Sequence, residues 1–137
     1  MRTKYGARRI KTGSTIFTHC HSSTVMNVIK AAKSKRIKVH NTETRPFLQG
    51  RMTAKELSYA GIKVTHFVDS AARLSLKNAD IMLIGCDAIT ADGFIVNKIG
   101  SEMFAEIARS YEIPVYVCTL AWKYDGKTRL GFDEKLE

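Results

Sequence analysis

Gly85-Cys86-Asp87-Ala88-Ile89-Thr90-Ala91-Asp92-Gly93-Phe94-Ile95-Val96-Asn97-Lys98-Ile99-Gly100 decides the fold. The apolar run Ile81-Met82-Leu83-Ile84 enters it, and Met103, Phe104, Ile107 and Ala108 leave it at helical spacing. A short apolar run bounded by glycine reads as a buried strand. Asp87 then stands just past a strand's carboxyl end, where open α/β sheets place their ligands. Asn97-Lys98 precedes Ile99-Gly100-Ser101-Glu102, a helix start whose free N–H groups, with a lysine beside them, suit an anion. A carboxylate and a cationic cradle on one loop fit a phosphorylated small molecule. Asp92-Gly93 reads as a tight turn, so Asp87 is preferred for chemistry, although a turn or cap residue would look the same. Cys86 reads as packing.

The same strand–turn–helix pattern repeats on either side. Ser14 to Thr18 reads as a first strand, followed by the polar turn His19-Cys20-His21-Ser22-Ser23-Thr24. Val25, Val28, Ile29 and Ala32 recur at helical spacing, with Ser22 or Ser23 as the N-cap. A second strand is expected over Ile37 to Asn41 and a loop over Thr42 to Gly50. Thr53 to Glu56 matches a capping box opening the next helix, and Gly61 suits its end. Ile62 to Val68 reads as a third strand, Asp69 to Leu76 as a short helix capped by Asp69 or Ser70. Asp80 to Ile84 is the fourth strand, Ser101 to Tyr111 a helix, and Ile113 to Cys118 a fifth strand with Pro114 at its start. Residues 123–127 read as loop, and nothing after them suggests an element.

Strands alternating with helices indicate an α/β fold: a Rossmann-like, doubly wound parallel sheet of about five strands with helices on both faces. The switch point is expected between strands one and four, which would set Cys20 beside Asp87. Three segments are expected: a basic arm or remnant of a preceding segment over 1–13, the Rossmann-like domain over 14–123, and a polar tail over 124–137. The GxGxxG fingerprint is missing after strand one, which argues against a nicotinamide enzyme.

The chain has 137 residues, 45% of them hydrophobic and 26% charged, the balance of an ordinary folded domain. No apolar run approaches the roughly 20 residues that span a bilayer. The first residues lack the apolar centre of a signal peptide, so a cytoplasmic protein that does not engage membranes is expected. The formal net charge is +9, which suits an anionic substrate, nucleic acid or an acidic partner. The cluster Lys30-Lys33-Lys35-Arg36-Lys38 lacks interleaved aromatics, so a solvated helix face is favoured over an RNA surface. Three cysteines with no CxxC indicate neither a disulfide framework nor a zinc site.

Cys20, at a strand–helix turn between His19 and His21, reads either as a thiolate base or nucleophile, stabilised by the helix N-terminus and an imidazolium, or as a small buried thiol. At most one of the two histidines should face the site. Arg45 and Arg51 could hold phosphate in bidentate fashion, and Gln49 a sugar hydroxyl. The plainer alternative is a loop tied by a Glu43–Arg45 type pair. Lys98 fits a phosphate. Lys123 is either a rim cation or a solvated lysine.

Thr18 to Ser23, Glu43-Thr44-Arg45-Pro46 through Gln49-Gly50-Arg51, Val68-Asp69-Ser70-Ala71-Ala72, and Gly85 to Ile89 through Asn97-Lys98-Ile99-Gly100 appear in that order. Together they resemble one superfamily. It joins the regulatory α, β and δ subunits of translation initiation factor 2B with methylthioribose-1-phosphate isomerase and archaeal ribose-1,5-bisphosphate isomerase. The resemblance implies that Cys20 and Asp87 are the catalytic pair of the isomerase branch. Cys20-His21-Ser22-Ser23 is most similar to the bisphosphate enzyme. Ser22, Ser23, Thr24, Asn97, Lys98 and Lys123 would then contact substrate, with Arg45, Gln49 and Arg51 on the same rim. The implied reaction is ribose 1,5-bisphosphate to ribulose 1,5-bisphosphate, an aldose–ketose isomerisation in nucleotide (AMP) salvage that needs neither metal nor cofactor. The alternatives are a non-catalytic regulatory subunit binding initiation factor 2 or a nucleotide or sugar phosphate, and a methylthioribose-1-phosphate isomerase. A dimer, or a hexamer built from dimers, is implied. Members carry a helical N-terminal domain with a Gly-rich phosphate loop, and an Asn-Pro-Ala-Phe-Asp type segment after strand five. Neither is visible here, so a piece of a longer protein or a shortened relative, incomplete as an enzyme, is expected.

Overall fold

The computed structural model describes residues 6–118 and 124–125. In chain order the elements are β1 (Thr15–Thr18), α1 (Ser23–Ala31), β2 (Lys38–Thr42), α2 (Gln49–Tyr59), β3 (Lys63–Phe67), α3 (Ala72–Leu76) and β4 (Ile81–Ile84). They continue as β5 (Ala88–Thr90), β6 (Ile95–Val96), α4 (Ser101–Ser110), β7 (Val115–Val117) and β8 (Tyr124–Asp125). The main sheet runs β3-β2-β1-β4-β7 with every pair parallel. The chain winds outward from β1 to β3 and then returns to β4 on the other side of β1. The switch point therefore falls between β1 and β4, as the sequence pattern implies.

Alternation along β4 separates the two faces. Ile81 and Leu83 join Ile16 and Val39 under the apolar sides of α1 and α2. Met82 and Ile84 join Phe17 beneath Phe104 and Ala108 of α4 and Leu76 of α3. All four β4 residues are buried, as expected of a strand covered on both faces. Phe17 and Phe104 stack at 5.1 Å between ring centroids. Ala7 and Ile10 of the N-terminal stretch also pack into the first core, and Lys35 Nζ donates to both of their carbonyls at 2.7 Å. One member of the basic cluster is thus a structural tie, and Lys30 pairs with Glu56 at 3.3 Å.

Four local expectations are corrected. The second helix opens at Gln49, not Thr53, after Leu48 in a left-handed conformation. Gly50 permits this early start: a Cβ there would lie 1.7 Å from the Thr42 carbonyl oxygen. Thr53 is an interior, buried helix residue whose hydroxyl serves a neighbouring turn. Neither Asp69 nor Ser70 caps the short helix: a 3-10 turn over Asp69–Ala71 precedes α3, and the Asp69 carboxylate turns away to the loop after β2. The stretch after Asp87 is a β5–β6 antiparallel hairpin, closed by Gly93 N–H donating to the Thr90 carbonyl at 3.0 Å. Tyr124–Asp125, expected as loop, pairs in parallel with β5.

Candidate functional site

The turn after β1 is built on three threonines that are wholly buried, Thr42, Thr44 and Thr53. His19 Nε2 donates to the Ile99 carbonyl at 2.9 Å; the carbonyl can only accept, so Nδ1 accepts the Thr42 hydroxyl at 2.8 Å. Cys20 N–H donates to Thr44 Oγ1 at 2.9 Å, and the Thr53 hydroxyl donates to the Cys20 carbonyl at 2.9 Å. Thr53 Oγ1 also accepts His21 Nδ1–H at 2.9 Å. Asp69 ties down the loop after β2, accepting Thr44 N–H at 2.9 Å and Arg45 N–H at 2.7 Å. That tie takes the place of the Glu43–Arg45 pairing weighed from sequence. His19 is buried beneath Phe104, whose ring centroid is 4.5 Å away. It works as a strut holding the Asn97–Gly100 loop to β1.

The turn after β4 meets this one. Gly85 is buried, and Ser22 accepts Val25 N–H at 3.3 Å as the N-cap of α1. His19, Cys20, His21, Ser22, Ser23, Gly85, Cys86, Asp87 and Asn97 line one cavity of about 190 Å³. It opens at the carboxyl ends of the adjacent strands β1 and β4. The structure therefore brings Cys20, Asp87, Ser22, Ser23 and Asn97 together. Asn97 Nδ2 donates to Ser101 Oγ at 3.1 Å, at the start of α4. Lys98 lines an adjoining groove, with its ammonium 4.7 Å from the Phe47 ring centroid.

Thr24, Arg45, Gln49 and Arg51 do not line the cavity. Arg45 and Arg51 are exposed on the same rim. Gln49 Oε1 is buried and, among the described residues, lacks a hydrogen-bond partner. Lys123 lies outside the described residues. Among those residues no cluster of ligating side chains suits a metal ion, and no helix is long and apolar enough to cross a membrane.

The electrostatics differ from the thiolate expected at a helix N-terminus. Burial pushes the Cys20 thiol above its ordinary value, and the Asp87 charge adds to that. The His21 amide and the Lys98 charge oppose it. Burial also lowers His19, which keeps its ring neutral and removes the imidazolium that would have favoured thiolate. Burial thus favours the protonated form of the Cys20 thiol in the cavity that it shares with Asp87.

The chain matches the model of the initiation factor 2 subunit family over residues 3–137. It belongs to that family. Among curated relatives, ribose 1,5-bisphosphate isomerase of Methanocaldococcus jannaschii is 49% identical over 130 residues, 93% of this chain and 42% of that protein. Methylthioribose-1-phosphate isomerase of Thermosipho africanus is 40% identical over 98% of this chain and 42% of that protein. A crystal structure described as translation initiation factor eIF-2B from Pyrococcus horikoshii superposes with a TM-score of 0.87 at 37% identity, over 90% of this chain and 46% of that one. The chain spans about two fifths of the length of the curated relatives it matches.

Sequence reasoning missed the supporting residues Thr42, Thr44, Thr53 and Asp69. Thr53 carried the signal of a helix cap, and Asp69 that of another. Thr42 and Thr44 gave no signal along the chain: Thr44 lies beyond the end of β2 in a left-handed conformation, so strand alternation does not place its hydroxyl.

Proposed function

We propose that this chain carries the proton-transfer centre of an aldose–ketose isomerase acting on ribose 1,5-bisphosphate in the cytoplasm. The single observation behind the reading is that Cys20 and Asp87 share one cavity at the switch point of the sheet. The 49% identity to an archaeal ribose 1,5-bisphosphate isomerase supports the choice of substrate. Two phosphates need several cationic or N–H-rich anchors, and the N-terminus of α1 with Ser22 and Ser23, together with Lys98, Arg45 and Arg51, supplies them on one rim. Gln49, whose side-chain oxygen lacks a hydrogen-bond partner among the described residues, is the proposed partner for a sugar hydroxyl.

In this reading the Cys20 thiol first passes its proton to Asp87, which, now in its acid form, gives a proton to the ring oxygen as the C1–O bond breaks and the sugar opens. Cys20, as thiolate, removes the proton from C2 and returns it to C1. Asp87 recovers a proton from the C2 hydroxyl as that oxygen becomes the ketone. The sum is an isomerisation, with no electron acceptor consumed. A raised thiol pKa makes the thiolate scarcer and a stronger base, which a carbon acid requires.

The test is conversion of ribose 1,5-bisphosphate to ribulose 1,5-bisphosphate by the purified chain and by Cys20→Ser and Asp87→Asn. Loss of about 10²-fold or more in each supports the assignment; turnover that survives either change removes it. The likeness to the Pyrococcus horikoshii initiation factor structure favours a second reading, a regulatory subunit that binds a sugar phosphate without turning it over. That reading predicts saturable ligand binding and no ribulose 1,5-bisphosphate.

A further inference from the structure

Two residues around the Cys20 turn hold conformations that a side chain disfavours. Cys20 has φ 70° and Thr44 has φ 62°, both in the left-handed region. For β-branched Thr44 this is a genuine outlier. The two strained residues are bonded to each other, Cys20 N–H to Thr44 Oγ1, inside a wholly buried pocket for the threonine. Both oxygens of Asp69 are committed to the same place, one to Thr44 N–H and the other to Arg45 N–H. Strained backbone persists where the surroundings over-determine it, and such places cluster at functional sites.

We infer that Asp69 and Thr44 are positioning residues for Cys20: Asp69 clamps the Thr44–Arg45 peptide, and the Thr44 hydroxyl clamps the Cys20 amide, so that the thiol is held toward the cavity it shares with Asp87. This rests on the isomerase reading, in which one sulfur must serve two adjacent carbons. Such a task tolerates little displacement of the reacting atom. Asp69 itself lines no part of the cavity, so its influence runs through the backbone of the loop after β2.

Thr44→Val keeps the shape and deletes the acceptor, and Thr44→Ser restores the acceptor. Asp69→Asn presents an amide NH₂ where one of two N–H groups needs an oxygen. The readout is the iodoacetamide alkylation rate of Cys20 in the 137-residue chain, followed by peptide mass, with Cys118 as internal reference. Release of the clamp admits solvent to the thiol, so Thr44→Val and Asp69→Asn should alkylate at Cys20 about fivefold faster or more, with Cys118 within twofold of wild type. Thr44→Ser should stay within twofold of wild type at both cysteines. Unchanged Cys20 rates in Thr44→Val and Asp69→Asn overturn the inference. So does an equal rise at Cys118, which marks general loosening, and so does failure of Thr44→Ser to restore the rate. Alkylation needs no substrate, so a chain that shows this pattern without turnover keeps the clamp and loses only the isomerase reading. With turnover, the clamp predicts a fall in kcat at unchanged KM for Thr44→Val.

Discussion

Gly85 and Ser22 touch across the mouth of the sheet: a Cβ on Gly85 would stand 2.6 Å from Ser22 Oγ and 2.8 Å from Ser22 Cβ. This close approach joins the turn after β4 to the helix that follows β1. Gly85→Ala should push Ser22 off the Val25 N–H and lose the α1 cap, about 1 kcal/mol. Urea unfolding measures the loss. In the isomerase reading the same variant should also bind the sugar phosphate more weakly, because the helix N-terminus is displaced.

Gly50→Ala should be far more damaging. The added methyl would meet the Thr42 carbonyl oxygen at 1.7 Å, and that oxygen is backbone at the end of a central strand. No side chain can move aside, so a loss above about 3 kcal/mol is expected. Expression with far-UV circular dichroism should show little folded protein. Gly93→Ala, with open space around it and φ 85°, should cost only about 1 kcal/mol.

The pH dependence of Cys20 alkylation should rise at a pH above that of a free thiol, since burial holds the thiol protonated. Asp87→Asn removes a nearby negative charge and should move the limb to lower pH; Lys98→Met should move it upward. Cys118, pushed up to about 11 by burial, should stay slow throughout. A wild-type limb at or below that of free cysteine would refute the assignment. In the isomerase reading the Cys20–Asp87 pair must keep one proton, so turnover should fall as the pH rises through the same limb.

His19 makes a stability prediction of definite sign. Its folded-state pKa lies below the ordinary 6.5 because of burial. The unfolded chain then binds a proton more readily, so the contribution of neutral His19 is complete above 6.5 and is lost as the pH falls below 6.5 and through the lower folded-state value. Thermal unfolding between pH 7 and pH 5 should show a declining Tm, and His19→Asn should flatten the decline. At pH 7 the same variant should lose about 2 kcal/mol, from the Thr42 and Ile99 hydrogen bonds.

The main sheet was legible because each strand is a short apolar run between glycine or polar turns, and β4, with Ile81 to Ile84 all buried, is the clearest. The pairing of Cys20 with Asp87 was legible from the switch-point rule alone. The start of α2 was misread because a local Thr-x-x-Glu pattern looks the same at a helix end and inside a helix. What decided between them was the space that Gly50 opens against β2. The β5–β6 hairpin was missed because its strands are two and three residues long, too short for alternation to register.

Sequence by itself determined the periodicities, and through them the order of strands, the two apolar faces and the end of the sheet where a ligand would sit. Tertiary structure alone decided the state of the site: that His19 is a neutral strut, that the Cys20 thiol is raised, and that Thr44, Thr53 and Asp69 hold the turn. The physical reason is that periodicity is a property of neighbours along the chain. Burial and the site's long-range hydrogen bonds come from residues far apart along the chain, 23 positions for His19–Thr42 and 80 for His19–Ile99.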